Sequence, residues 1–250
     1  MIRLQNVVLP LDRADDLRTP AAAKLKCDPA RIASCKLLRR SIDARKRQDV
    51  RFIATLLVEV SGEEALLRRC PDAALWEAPE RPPFAPTRSK SGPPPVVVGS
   101  GPAGLFAALA LAENGYAPLL IERGKSVEER VKDVERFWRD GVLDPESNVP
   151  FGEGGAGTFS DGKLNTGTKD PGIATVLETF GRFGAPESIL WDAQPHVGTD
   201  KLRALVPAIR EEILRLGGQV LFSHRMTDFD LSKGTVTCRT PAGERILPCC

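Results

Sequence analysis

β-Branched and apolar runs open the chain. "IRLQNVVLPL" and "RFIATLLVEV" are rich enough in such residues to predict strands, and "TPAAAKLK" and "EEALLRRC", between and after them, predict helices. Together they predict a small α+β domain of ferredoxin-like type over residues 1–80. Next comes "RPPFAPTRSKSGPPP", Arg81 to Pro95, whose prolines remove backbone donors and fix φ, so neither a helix nor a central strand runs through it. It reads as a linker. From residue 96 the pattern becomes α/β: a strand (Val96 to Val98), a helix (Pro102 to Asn114), a strand (Pro118 to Ile121), then a long helix-and-loop excursion. An amphipathic helix, "TDKLRALVPAIREEILRLGG", has Asp200 near its start and Gly217 just past its end, where capping favours them. It leads into the strand "QVLFSHRMTDF", and "TVTCRTPAGERILPCC" predicts a hairpin turning at Pro241 to Gly243. A Rossmann-like α/β domain over residues 96–250, built on parallel β-α-β, is the expected fold. There is no internal repeat.

Composition changes this picture little. A chain of 250 residues with 42% hydrophobic and 27% charged residues has the balance of a globular protein. It holds no uninterrupted apolar run of membrane-spanning length, and its start lacks the basic-then-apolar order of a signal peptide, so a cytoplasmic protein without a membrane partner is expected. Charge is more informative. Residues 1–90 carry 18 Lys/Arg against 12 Asp/Glu and the remainder 17 against 21, so a net charge of +2 conceals halves of +6 and −4. The basic run "KLLRRSIDARKRQDVR", Lys36 to Arg51, raises nucleic acid as a partner. A solvated strand face is the favoured reading, because Asp43 and Asp49 relieve the charge and no aromatic side chain interleaves it to stack on bases. Six cysteines show no C-x-x-C spacing, and two histidines lie far from them in sequence, so reduced thiols and no metal site are expected.

The candidate chemistry begins with "VVVGSGPAG". Gly99, Gly101 and Gly104 form G-x-G-x-x-G directly after a strand and before a helix: the first permits the tight turn, the second lets a pyrophosphate approach the backbone, and the third lets helix and strand pack closely. Pro102 suits the first helical turn, whose free amides and dipole favour an anion. Glu122 closes the next strand eighteen residues after Gly104, where a carboxylate can accept a ribose hydroxyl and would repel a 2′-phosphate.

A second glycine-rich loop, "GEGGAGTFSDGK", lies in the excursion of about a hundred residues between Glu122 and the strand at Gln219. A simple NAD domain proceeds through short β-α units, so this loop is read as lying over the distal half of one extended cofactor. It would supply amides and the hydroxyls of Thr158 and Ser160 near a pyrophosphate or a flavin ring.

"VVVGSGPAGLFAALALAENGYAPLLIERG", "FGEGGAGTFSDGKLNTGTKD" and "HVGTDKL" resemble the bacterial FAD-dependent, NAD(FAD)-utilising dehydrogenases, related to the two-dinucleotide-binding-domain flavoproteins; "RRSIDARK" in the small domain is similar too. The resemblance implies that Glu122 holds the adenosine ribose, that Arg123 and Gly124 complete the adenine-side motif, and that the loop over residues 154–164 faces the flavin. It also implies that the helix from Thr199 and the strand ending near Met226 lie beside the FAD, with main-chain groups of Arg225 to Thr227 near adenine. Proteins of this kind continue into a later glycine motif and a substrate domain, so a chain stopping at "RILPCC" is expected to be an N-terminal portion.

The expected function is an FAD-dependent oxidoreductase, or dehydrogenase, in which a donor such as NAD(P)H passes a hydride to flavin N5. The rival is a dinucleotide-binding module whose basic N-terminal domain engages RNA or an acidic protein. The expected cofactor contacts are Gly99, Ser100, Gly101, Pro102, Ala103 and Gly104; Glu122, Arg123 and Gly124; Gly154, Gly155, Thr158, Ser160, Asp161, Gly162, Lys163 and Leu164; and Met226. No catalytic side chain is singled out: Asp161 with Lys163 reads as a solvated pair, and His196 and His224 read as structural.

Overall fold

The computed structural model describes residues 1–78 and 92–250; the linker residues 81–91 lie outside the described residues. The chain forms two compact units. One comprises Met1–Arg81 with Leu164–Gly181 and Pro186–Pro195, the other Pro82–Lys163 with Arg182–Ala185 and His196–Cys250.

The first unit opens with β1 (Ile2–Pro10), α1 (Arg18–Leu25), β2 (Ile32–Asp43), β3 (Arg51–Val60), α2 (Glu63–Arg69) and β4 (Ala73–Leu75). The four strands pair antiparallel in the order β2-β3-β1-β4, which with the intervening helices is the ferredoxin-like β-α-β-β-α-β arrangement. In β1 the buried residues are Ile2 and Leu4, then Val7 and Leu9. The phase slips between Leu4 and Val7, where the register shifts and Asn6 takes a φ of 54°. An extra residue at this bulge returns the apolar side chains to the core face. β3 keeps strict alternation, burying Ala54, Leu56, Val58 and Val60. A further segment pairs with β2: the Arg40 amide donates to the Trp191 carbonyl at 2.7 Å, the Ala193 amide donates to the Arg40 carbonyl at 2.8 Å, and Arg40 pairs with Asp192 at 2.9 Å. Within the basic run Arg45 pairs with Asp43, and Arg51 with Asp49, which does not support the rival reading of a nucleic-acid surface.

The second unit contains β5 (Val96–Val98), α3 (Pro102–Glu113), β6 (Leu119–Ile121) and α4 (Val127–Asp140). Past α5 (Gly172–Arg182), most of which belongs to the first unit, follow α6 (Thr199–Arg215), β7 (Gln219–Leu221), β8 (Arg225–Asp230), β9 (Thr235–Thr240) and β10 (Gly243–Pro248). β5, β6 and β7 form a parallel sheet in that order, in register Val96, Leu119, Gln219. α6 buries Leu202, Leu205, Val206, Ile209 and Ile213, one stripe at helical spacing. β8, β9 and β10 form a separate antiparallel sheet whose Val236, Cys238 and Leu247 join Leu119 and Ile121 in one core. The run "QVLFSHRMTDF", expected as one strand, is therefore two strands in two sheets, broken where Ser223 adopts a φ of 57°. Among the described residues no helix is long and apolar enough to cross a membrane.

Candidate functional site

The end of β5 is fixed by main-chain bonding. The Gly99 amide donates to the Ile121 carbonyl at 2.7 Å, and Gly99 turns the chain with a φ of 90°. A Cβ at Gly104 would stand 1.8 Å from the Gly99 carbonyl oxygen, so glycine there is what lets α3 start against the strand. Gly101 is different. Its φ of −65° is open to any residue, and a Cβ built on it meets nothing within 4 Å. Nothing in the fold demands glycine at this position. The amides of Gly101, Ala103 and Gly104 find no acceptor among the described residues, as the first turn of a helix leaves them. Free amides and the positive end of the helix dipole would favour an anion here.

Glu122 follows β6 and is 5% exposed. Its Oε2 accepts from both the amide and the hydroxyl of Ser100, each at 2.8 Å, and its Oε1 accepts from the Gly124 amide at 2.8 Å. A carboxylate offers about four acceptor sites. Three are taken by the protein, so Glu122 shapes the glycine turn and retains room for one further donor.

The second glycine loop is held from beneath by Arg130 of α4, which is fully buried. Its guanidinium donates to the carbonyls of Asn148, Val149, Glu153 and Gly155 at 2.5 to 2.8 Å, and burial lowers it to about 10. Glu153, also fully buried, accepts the Val127 amide at 2.9 Å and pairs with Arg210 of α6 at 2.7 Å. Its other oxygen has no partner among the described residues, and burial pushes its carboxyl up to about 7. Glu128, hydrogen-bonded to the same Arg210, is held down at about 2. So anchored, the loop meets the first turn: the Gly154 amide donates to the Ser100 carbonyl at 2.8 Å, and a Cβ on Gly155 would come 3.4 Å from the Gly101 Cα.

Between the two turns lies a cleft of about 320 Å³. Gly99, Gly101, Glu122, Arg123, Gly155 and Met226 line it, among the expected residues, and Pro150, Phe151, Gly152 and His224 add walls that the sequence reading did not single out. Phe151 lies under the Arg123 guanidinium, 4.1 Å from its ring centroid. The start of the loop at Gly152, which has a φ of 119°, was the available signal. Ser100, Gly124 and Gly154 stand behind the cleft through the bonds above, and Pro102 and Ala103 begin α3. Thr158 is buried, its hydroxyl donating to the Glu153 carbonyl at 3.1 Å. Ser160, Asp161, Gly162 and Lys163 are not among the lining residues: the Ser160 hydroxyl donates to the Gly157 carbonyl at 2.8 Å, and exposed Asp161 and Lys163 pair at 2.8 Å. The Gly162 carbonyl accepts the Val197 amide at 2.9 Å, and a ring nitrogen of His196 bonds the Asp161 carbonyl. Leu164 belongs to the first unit, where its amide donates to the Pro195 carbonyl at 2.9 Å. His224 bonds the Phe222 carbonyl through Nδ1 at 2.7 Å and has the Arg245 guanidinium 3.2 Å from Nε2.

The residues fit a dinucleotide. A glycine that the fold does not need, free helix-terminal amides and a nearby carboxylate with one vacant acceptor site converge on one cleft.

Comparison with known proteins agrees with this fold. Residues 97–143 match the NAD(P)-binding Rossmann-like domain, and residues 1–59 match a domain of unknown function, DUF8436. An uncharacterized protein of Clostridium beijerinckii is 42% identical over 250 residues, covering 98% of this chain and 46% of that protein. The chain thus spans less than half the length of this relative. Among solved structures, Thermovibrio ammonificans THI4 is 13% identical over 63% of this chain and 53% of its own, with a TM-score of 0.41. Aklavinone-11 hydroxylase, solved with FAD and aklavinone, is 19% identical over 62% of this chain and 31% of its own, with a TM-score of 0.29. The 3-ketosteroid-delta4-(5alpha)-dehydrogenase of Rhodococcus jostii RHA1 is 15% identical over 62% of this chain and 43% of its own, with a TM-score of 0.35. The parallel sheet and glycine turn give this chain a Rossmann-like domain, and the family match falls on its residues 97–143.

Proposed function

We propose that this protein is an FAD-binding oxidoreductase of the dehydrogenase type, with NAD(P)H as electron donor. Gly101 carries the reading: its glycine is explained by neither backbone conformation nor packing, only by something that must come close from the cleft. The amides of Gly101, Ala103 and Gly104 would receive the pyrophosphate, Glu122 would accept one ribose hydroxyl, and the main chain of Arg225 to Thr227, with Met226, would meet adenine. The second glycine turn supports an extended cofactor rather than a short one, because Gly152 and Gly155 wall the same cleft as Gly99 and Gly101. When bound, the flavin supplies a ring that accepts a hydride. The protein's part is to hold that ring, exclude water and bring its glycine backbone near. In this reading the second unit is the cofactor domain, and Thr158 to Lys163 belong to the flavin side.

The test is flavin content. Purified protein should show the visible absorption of oxidised flavin, and Gly101→Val should lose it while keeping its circular dichroism and melting temperature. Unchanged flavin in that variant would show that the turn is not the phosphate site. Adding FAD should also protect the amides of residues 154–164 from hydrogen exchange, while AMP should not. Equal exchange with and without FAD would remove the loop from the cofactor.

A further inference from the structure

Arg123 and Arg225 line a second cleft as well, of about 310 Å³, reaching to Lys125, Ser147, Arg239 and Pro241. Most of its cations are already paired. Glu146 holds both Arg123 and Arg225, at 2.6 and 3.0 Å, and Lys125 is held by Asp133 and Asp144, at 2.8 and 3.2 Å. Arg239 has no ion-pair partner among the described residues. It stands directly opposite Arg225 in the β8–β9 register, which puts the two arginines on one face. Like charges directly opposite are destabilising; Glu146 bonds the first, while Glu244 of β10, opposite Arg239 on the other side in the β9–β10 register, makes no ion pair with it among the described residues. Ser147, 1% exposed, lines the same cleft, and its buried hydroxyl has no partner among the described residues. A buried hydroxyl left unpaired is costly, and a guanidinium fork matches an oxyanion.

We propose that this cleft is a second binding site, separate from the cofactor cleft, for the phosphoryl group of a small phosphate ester. Arg239 takes the phosphoryl oxygens through its fork, the Ser147 hydroxyl donates to a third, and Thr240 and Pro241 border the organic part. Three oxygens pointing in different directions suit donors arriving from β9 and from the loop after α4 better than a planar carboxylate does. The site does not depend on the flavin reading, since neither Arg239 nor Ser147 lines the cofactor cleft.

Calorimetric titration of the purified protein with phenyl phosphate, inorganic phosphate and benzoate tests it. Phenyl phosphate should bind saturably, inorganic phosphate more weakly and benzoate least. Arg239→Gln should weaken phenyl phosphate about tenfold or more, and Ser147→Ala several-fold, as expected for charged and neutral hydrogen bonds. Flavin content should be unchanged in both. The proposal is overturned by three results: no saturable binding of either phosphate probe, benzoate binding as well as phenyl phosphate, or binding indifferent to Arg239→Gln. Loss of phenyl phosphate binding in Gly101→Val with retention in Arg239→Gln would instead place the phosphoryl group in the cofactor turn and equally overturn it.

Discussion

The Gly154 amide donates to the Ser100 carbonyl across 2.8 Å, and this bond joins the glycine turn after β5 to the one after α4. Ser100 is in turn held by Glu122 through both its amide and its hydroxyl. A carboxylate, a serine and two glycine turns are therefore joined in one hydrogen-bonded chain, and damage to any of them is predicted to be graded by how many buried donors it strands.

Glycines that look equivalent in sequence should separate on substitution. Gly104→Ala forces a Cβ against the Gly99 carbonyl oxygen at 1.8 Å, which should cost about 1–3 kcal/mol or more as overpacking. Gly101→Ala should stay within about 0.5 kcal/mol of wild type yet retain less flavin. Urea unfolding and flavin-to-protein ratio measure the two effects, and comparable destabilisation by both variants would refute the division.

Glu122→Ala orphans the buried amides of Ser100 and Gly124, at about 1–3 kcal/mol each. Ser100→Ala removes one hydroxyl and leaves both amides bonded, so it should cost only about 1 kcal/mol. Denaturation of the two variants side by side is decisive: a serine variant as unstable as the glutamate variant would mean that the carboxylate is not the anchor.

Burial holds the Glu153 carboxyl at about 7, above an ordinary 4.5. Between those values the folded protein keeps a proton that the unfolded chain has released, so stability falls as pH rises through this window and is flat on either side. Glu153→Gln has no proton to keep. Its unfolding free energy should decline less steeply between about pH 5 and about pH 8, by no more than about 3 kcal/mol over the window. Parallel pH profiles would show that Glu153 ionises normally.

Arg130→Lys retains a cation but not the fork that reaches four carbonyls. Amides of residues 148–155 should exchange faster, and stability should fall by about 2 kcal/mol, within the range for a broken buried network. Exchange confined to wild-type rates would mean that the loop is held by other contacts.

What the sequence made legible is what local physics fixes. The strand, glycine turn, helix and acid around Gly99 and Glu122 could be read directly, as could the hairpin turning between Thr240 and Gly243, because each depends on neighbours a few residues away. The break at Ser223 was not legible: its left-handed backbone has no glycine to mark it. Nor was the role of Arg130 and Glu153. On a helix and in a polar loop, charged residues read as solvated, and only the returning chain supplies the carbonyls and the Arg210 partner that justify burying them. Lining residues such as Pro150 and Phe151 carry no chemistry of their own to announce them.

The pairing of Arg40 with the segment at Trp191 to Ala193 has a consequence for biosynthesis. The two partners of the ion pair are 152 positions apart, so the small N-terminal sheet can form early while its β2 contacts wait for a stretch of chain not yet translated. Closing so long a loop costs entropy that only late contacts repay. On the ribosome, the β2 main chain at Arg40 therefore spends the synthesis of most of the second unit without these partners.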